Sequence, residues 1–424
     1  MTASSDRSSC SSCSSSETPA SACDDAARFA IDPAILARAE ELARFRRDIH
    51  AHPELGFETH RTVAKVREAL LAAGIPETVL DTTSLDGALF VRLEGKGDGP
   101  VIALRADMDA LPMTDQGSCA WKSTVDGRAH ACGHDGHTTW LLGALLRLHE
   151  LRDTWSGRVI GIFQPSEEIG NGAERVVQTG IFEREGIQEI YGAHDEPSIP
   201  VGKFGVKTGP LQAAADFFYL TVKGKGCHGG RPHMGIDPIP VAAQLVANLQ
   251  TIVARKVNPV ENAVVSICSL NAGRFEAPNV VPPEATLSGT VRTFSHDVRA
   301  QIESEIRTMT KGICEANGCG YEIRYDRLAP PVINHPVTTD AAREVVAKVC
   351  GEEAIVPNYP VTMGGEDFSE YQKVVPGTMI RVGMADDEHT VSLHHPSFDF
   401  NDRLTPIVAT VFVETALARL KALA

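Results

Sequence analysis

No apolar run in the 424 residues approaches the roughly 20 that a membrane-spanning helix needs, which excludes a segment crossing a bilayer as a helix. The N-terminus lacks a basic stretch followed by an apolar one, which argues against a secretory signal. Positive charge is in deficit. Lys and Arg number 40 against 55 Asp and Glu, a net charge of −15, which disfavours nucleic acid and anionic membrane as partners and favours solubility. The cysteines at 119, 132, 227, 268, 314, 319 and 350 show no short secreted-scaffold spacing, so a reducing cytoplasm is expected. Cys10 and Cys13 form a C-x-x-C, but no second Cys/His pair follows at zinc-site spacing, and no metal role is expected there. There is no internal repeat.

What is present reads as an ordinary globular chain, 43% apolar and 22% charged, long enough for two or three domains. Residues 1–27 are Ser-rich and bury too little apolar surface to order themselves, so a disordered tail is expected. Helical spacing of Leu36, Ala39, Leu42 and Phe45 predicts helices over 33–73, broken at His52-Pro53-Glu54. Strands are predicted at 88–93, 101–105, 159–163 and 187–193, with an amphipathic helix over 137–151 and another from 173. Strands alternating with helices imply an α/β sheet covered on both faces, a three-layer domain. After Gly209-Pro210 the texture changes. Strands at 214–223, 263–270, 285–294 and 321–325 interleave with helices at 240–255 and from Ser295 to Lys311, the order of a small two-layer α/β sandwich. The expected organisation is an α/β domain in two pieces, 28–210 and 327–424, with a smaller domain inserted at 211–326.

Four segments carry chemistry. Cys132-Gly133-His134 offers a thiolate and an imidazole, both suited to a borderline-soft divalent ion, just ahead of the helix predicted near His137. Ser166-Glu167-Glu168 directly follows the 159–163 strand, and ligands of open α/β sheets gather at the carboxyl ends of strands. Of two adjacent carboxylates, one can bind metal while the other takes a proton from water. His194 and Asp107-Met108-Asp109 likewise follow strand ends, and His394 stands in Leu393-His394-His395-Pro396. Taken singly, each has a bland alternative: a buried free cysteine, a solvated acidic turn, a chance histidine among fifteen. Their joint placement at one sheet edge weakens that alternative.

Several stretches together resemble the M20 metallopeptidase family, in its amidohydrolase branch of hippurate, N-acyl-amino-acid and auxin-conjugate hydrolases. They are Arg46-Arg47-Asp48-Ile49-His50-Ala51-His52-Pro53-Glu54-Leu55, Leu104-Arg105-Ala106-Asp107-Met108-Asp109-Ala110-Leu111-Pro112 and His130-Ala131-Cys132-Gly133-His134-Asp135-Gly136-His137. Gln164-Pro165-Ser166-Glu167-Glu168, Asn279-Val280-Val281-Pro282, Gly289-Thr290-Val291-Arg292 and Met363-Gly364-Gly365-Glu366-Asp367-Phe368 also match, in order, over about 40–420. The resemblance implies metal ligands Cys132, His134, Glu168, His194 and His394 around two divalent ions, manganese or zinc. It implies Glu167 as general base and Asp109 as the carboxylate that orients a ligand imidazole. It implies a lid and dimerisation role for the inserted domain, in a homodimer or homotetramer. His228, in Gly226-Cys227-His228-Gly229, would reach a neighbouring subunit's site and stabilise the oxyanion, and Asn279 and Arg292 would contact substrate, Arg292 as a bidentate carboxylate partner. Other branches have a metal-binding His at the position of Asp107, which is left without a role here.

The implied reaction is hydrolysis of the amide of an N-acyl amino acid or similar small conjugate, with a metal-activated water as nucleophile. Alternatives are a relative acting on a non-peptide C–N bond of carbamoyl or amidine type, a non-catalytic binding protein, and a cysteine hydrolase using Cys132. Two departures stand out. Asp195-Glu196 follows His194 where the family commonly has Asn and an apolar residue, so a pocket biased against acidic substrates or toward basic ones is expected. His395 replaces a small residue, an adjacent competitor for the ligand role given to His394. Within the opening motif only Cys132 and His134 are expected to touch metal, with His130 and His137 flanking.

Overall fold

A computed structural model describes residue 25 and residues 27–424. The tail expected at 1–27 therefore lies outside the described residues apart from Asp25 and Ala27, and Cys10 and Cys13 lie outside them. In chain order, the first elements are α1 (Ala39–His50), α2 (His60–Ala72), β1 (Leu80–Asp81), β2 (Leu89–Glu94), β3 (Val101–Asp107), α3 (His134–Glu150), β4 (Arg158–Gln164), β5 (Glu189–Pro200) and β6 (Phe204–Gly205). Next come β7 (Ala214–Lys223), α4 (Pro238–Leu249), β8 (Ala263–Ala272), β9 (Glu284–Thr293), α5 (His296–Ala316) and β10 (Gly320–Ala329). The last are α6 (Pro336–Cys350), β11 (Gly377–Ala385) and α7 (Leu404–Leu423). Two compact units result: residues up to Thr208 with Asn334–Tyr359 and Tyr371–Ala424, and Gly209–Ile333 with Pro360–Glu370. Among the described residues, no helix is long and apolar enough to cross a membrane.

The larger unit is built on a mixed seven-stranded sheet in the order β1-β2-β4-β3-β5-β11-β6, the α/β class that the alternating pattern implies. Its central pairs, β3 with β4, β3 with β5 and β5 with β11, are parallel. Every residue of β3 is buried, which is why its first four, Val101-Ile102-Ala103-Leu104, read as a continuous apolar run rather than an alternating one. Helix α3 packs against the sheet and against α1 and α7. It is buried nearly all round, with Trp140, Leu141 and Leu145 at 0% exposure. Each such side chain contributes about 1.5–3 kcal/mol of burial. Gly136 allows the closest approach: a Cβ there would stand 2.3 Å from the Phe400 ring.

Among the boundaries that differ from expectation, two matter for the site. Helix α3 starts at His134 rather than His137. Gly133, at φ 82°, turns the chain into the helix, and Asp135 suits the positive end of the helix dipole. The apolar periodicity that marks the helix only begins at Trp140, so it places the start too late. Strand β5 continues past Ala193 to Pro200, because β11 runs beside it with Arg381 opposite His194 and Val382 opposite Asp195. Polar residues at a pairing position carry no strand signal of their own.

The smaller unit has an antiparallel four-stranded sheet in the order β8-β9-β7-β10. Phe218, Leu220 and Val222 of β7 point into a core shared with α4 and α5, while Phe217 and Tyr219 are exposed, the period-two pattern of a half-covered sheet. Ser295 caps α5, its hydroxyl accepting from the Val298 N–H at 3.4 Å. Two layers, helices on one face of a sheet, are what the sequence order implied.

Candidate metal centre

The larger unit brings five of the sequence-predicted residues together. Cys132 and His134 flank Gly133 at the start of α3, Glu168 follows β4, His194 lies on β5, and His394 precedes α7. The Cys132 Sγ and one ring nitrogen each of His134 and His194 lie within 4.8 Å of one another, with Sγ 3.6 Å from His194 Nε2. Cys132, Glu168 and His394 form a second group on the same criterion, with His394 Nε2 3.5 Å from a Glu168 oxygen. His134 Nε2 stands 3.9 Å from Glu168 Oε1 and 4.0 Å from Glu167 Oε2. Both His134 Nε2 and Glu168 Oε1 are buried without a hydrogen-bond partner. An unpaired buried polar atom costs about 1–3 kcal/mol, so two facing each other call for a partner between them. A cation satisfies both. A sulfur, three imidazoles and a carboxylate form a donor set that fits a borderline-soft divalent ion.

Each donor is aimed by a neighbour. His134 Nδ1 donates to the main-chain carbonyl of Asp109 at 2.8 Å, which turns Nε2 into the site. The Asp109 carboxylate was expected to orient this imidazole, but it stands 3.6 Å from Nδ1. It accepts instead from the backbone N–H groups of Glu167 at 2.9 Å and Glu168 at 3.2 Å. Buried Ser166 makes this possible by adopting a left-handed φ of 63°, a strain of about 1–3 kcal/mol that turns both glutamate amides toward one aspartate. His194 Nδ1 donates to the Asp195 carbonyl at 2.8 Å, leaving Nε2 to face Cys132. Burial and the Arg381 charge hold the His194 pKa down, in the neutral form that ligates metal. His394, at φ 60°, donates its N–H to the Ala131 carbonyl at 2.7 Å. His395 folds into its own turn, its Nδ1 accepting from Ser397 N–H at 3.1 Å, so His394 is the one beside Glu168.

Beneath the donors runs a buried chain that the sequence reading did not foresee. His137 places Nδ1 2.6 Å from Asp107 and Nε2 2.9 Å from Asp195, and the second oxygen of Asp107 accepts from Arg105 at 2.7 Å. Burial would raise the Asp107 carboxyl, but Arg105, His134 and His137 hold it well below the usual carboxylate range. Asp195 therefore turns one oxygen to His137 inside the protein, and its other oxygen is buried without a hydrogen-bond partner. Glu196 is engaged too, with Arg381 at 3.2 Å and the Tyr359 hydroxyl at 3.0 Å. Both acids thus have partners inside the protein, His137 for Asp195 and Arg381 with Tyr359 for Glu196, where the expectation had them bias a pocket against acidic substrates or toward basic ones. The spacing of His134 and His137, three apart on one helix face, was the available signal that both reach the end of β3.

Residues 103–418 match the model of peptidase family M20/M25/M40. The chain belongs to this family. N-acetylcysteine deacetylase of Bacillus subtilis is 39% identical over 376 residues, 89% of this chain and 96% of that protein. N-acyl-L-amino acid amidohydrolase of Geobacillus stearothermophilus is 41% identical over 296 residues, 70% of this chain and 78% of that protein. A Bacillus subtilis crystal structure described as a dinuclear metal binding peptidase of the M20 family matches with a TM-score of 0.79 at 36% identity, covering 91% of this chain and 99% of that one.

Three residues singled out from the family pattern lie in the smaller unit. His228 is exposed and pairs in a short antiparallel bridge with Val280, while the Gly229 N–H donates to the Asn279 carbonyl at 2.7 Å. One short loop pair thus carries both His228 and Asn279. His228 Nδ1 accepts from the Gly230 N–H at 3.0 Å, which puts the ring proton on Nε2 and makes it a donor. Arg292 is half-buried, with Nε donating to the Met363 carbonyl at 3.2 Å and Nη1 to the Val291 carbonyl at 3.1 Å.

Proposed function

We propose that this M20 member hydrolyses the amide bond of an N-acyl amino acid or a similar small amide conjugate, with Cys132, His134, Glu168, His194 and His394 holding two divalent ions. It is a metal-dependent amidohydrolase. The observation that carries the ligand assignment is the pair of orphaned buried atoms, His134 Nε2 and Glu168 Oε1, facing each other amid the other donors. When bound, manganese or zinc ions there acidify a water and polarise the scissile carbonyl.

The chain's own residues supply the rest. Glu167 is proposed as general base: it takes the water's proton and returns it to the leaving amine. Asp109 fixes the main chain of Glu167 and Glu168 by accepting from their amides. His228 is proposed as the oxyanion donor through Nε2–H, and Asn279 and Arg292 as substrate contacts. The smaller unit is proposed to be the inserted lid and dimerisation domain of a homo-oligomer, and the compartment to be the cytoplasm.

A Cys132 nucleophile is a poorer reading. Burial and the neighbouring Glu168 push its thiol up, the reverse of what an activated cysteine needs. The test is a panel of N-acyl derivatives of basic, neutral and acidic amino acids beside N-carbamoyl ones, with metal content measured alongside. Acyl-amide turnover that chelation abolishes and manganese or zinc restores is expected. Turnover confined to N-carbamoyl compounds would overturn the substrate class, and chelator-insensitive, alkylation-sensitive turnover would overturn the mechanism.

A further inference from the structure

A second group of ligand-type side chains lies at the C-terminal end of α1, outside the set assigned above. A ring nitrogen of His50, the Sγ of Cys119 and a carboxylate oxygen of Asp399 lie within 4.8 Å of one another. His50 is buried, while Cys119 and Asp399 are partly exposed, so the cluster is built yet reachable from solvent. His50 Nδ1 is committed to Asp135 Oδ2 at 2.8 Å. Its Nε2 stands 3.7 Å from an Asp115 oxygen. Asp399 uses Oδ1 to accept from Arg46 at 3.1 Å and from the Trp121 indole at 3.0 Å, which leaves its other oxygen. Asp115 is fixed by the Gly117 and Ser123 N–H groups at 2.7 and 2.8 Å.

We propose that His50, Cys119 and Asp399, with Asp115 beside them, bind a further divalent ion, zinc by ligand chemistry, separate from the catalytic pair. One thiolate, one imidazole and one carboxylate in a cluster, with the Asp115 carboxylate beside the imidazole, are donors of the kind that zinc takes in structural sites. An imidazole that donates through one nitrogen to a carboxylate and offers the other to metal is the usual arrangement of a metal-bound histidine. The field agrees. Burial and the charges of Asp399 and Asp115 push the Cys119 thiol up, and the field that penalises a thiolate favours a cation. Arg46 opposes this, but Asp402, Asp135 and Asp399 already surround it. Zinc uptake breaks the S–H bond, forms the Zn–S bond, and releases to solvent that proton and any carried by His50 Nε2; no electron moves. The ion would tie the end of α1, the 115–119 loop and the segment before α7 together, and it shares Asp135 with the turn that bears His134.

The test is alkylation of the holoenzyme with iodoacetamide, with and without added zinc sulfate, read by peptide mapping. Cys268, a free and exposed cysteine, is the internal reference. Zinc is expected to slow modification of Cys119 at least about tenfold, since coordination removes the free thiolate, and to leave Cys268 unchanged. Wild type should hold one more zinc per chain than Cys119→Ser. Asp399→Asn keeps the thiol and should lose the protection. Equal modification of Cys119 with and without zinc, or equal zinc content in wild type and Cys119→Ser, would overturn the proposal.

Discussion

Replacing Gly133 by alanine tests how tightly the turn between Cys132 and His134 is fixed. The glycine sits at φ 82°, where an L side chain is strained by about 1–2 kcal/mol. A Cβ there would also stand 2.4 Å from Asp195 Oδ1 and 2.8 Å from its Cγ, closer than real contacts allow. Asp195 cannot swing aside freely, because it is buried and holds His137 Nε2 at 2.9 Å. Breaking one side of a buried ion pair costs about 3–5 kcal/mol, so strain and displacement together come to roughly 4–7 kcal/mol. Gly180→Ala is the matched control: it has φ 72° and nothing within 4 Å of its would-be Cβ, so it carries the backbone strain alone. Urea unfolding of both variants, with bound metal measured on the folded protein, gives the comparison. Gly133→Ala should be much the less stable and should hold less metal. If it costs no more than Gly180→Ala, the contact with Asp195 is not the constraint described here.

Glu167→Gln preserves shape and removes the proposed base; it should keep its metal while turnover falls by about 10²–10⁴-fold, and a near-normal kcat would refute the role. Cys132→Ser should deplete metal by elemental analysis, and unchanged content would remove Cys132 from the ligand set. His50 gives a pH test. Burial opposes its charge, but Asp135 and Asp115 raise its pKa from 6.5 to about 9. A raised folded-state pKa stabilises below the unfolded value, so this contribution is present below pH 6.5 and lost as pH rises through about 9. The shift corresponds to roughly 3 kcal/mol. Unfolding free energies of wild type and His50→Gln, measured with no added zinc, should converge across that window, and a constant gap between them would contradict the pairing.

The ligand tips were legible because they sit in dense local motifs: Cys132-Gly133-His134, Ser166-Glu167-Glu168 and the lone His194 each follow a strand or open a helix. The sheet was legible from apolar runs such as that of β3. What was not legible depends on groups distant in sequence. The true start of α3 rests on a glycine conformation, not on periodicity. The course of β5 past His194 rests on β11, which arrives some 180 residues later. The use of Asp195 and Glu196 rests on His137, Arg381 and Tyr359, none of which a reading of the Asp-Glu pair could weigh. A charged pair beside a site looks like a specificity element until its partners are known.

The same reasoning explains why the site needs so many aspartates. Asp107, Asp109, Asp135 and Asp195 are all buried, each next to a ligand or at the end of a central strand. A buried carboxylate without partners costs several kcal/mol, so each one must recruit donors. The donors recruited are an arginine, the backbone amides of the glutamate turn, and the imidazoles of His50 and His137. Main-chain carbonyls of Asp109 and Asp195 take the remaining Nδ1 protons, those of His134 and His194. Once these demands are met, Nε2 of His134 is left without a hydrogen-bond partner facing Glu168, and Nε2 of His194 faces the Cys132 sulfur. Donors held this way lose little freedom when an ion arrives, so affinity comes from preorganisation as much as from the donors themselves. It follows that substitutions in the aspartate layer should weaken metal binding even where no ligand is altered.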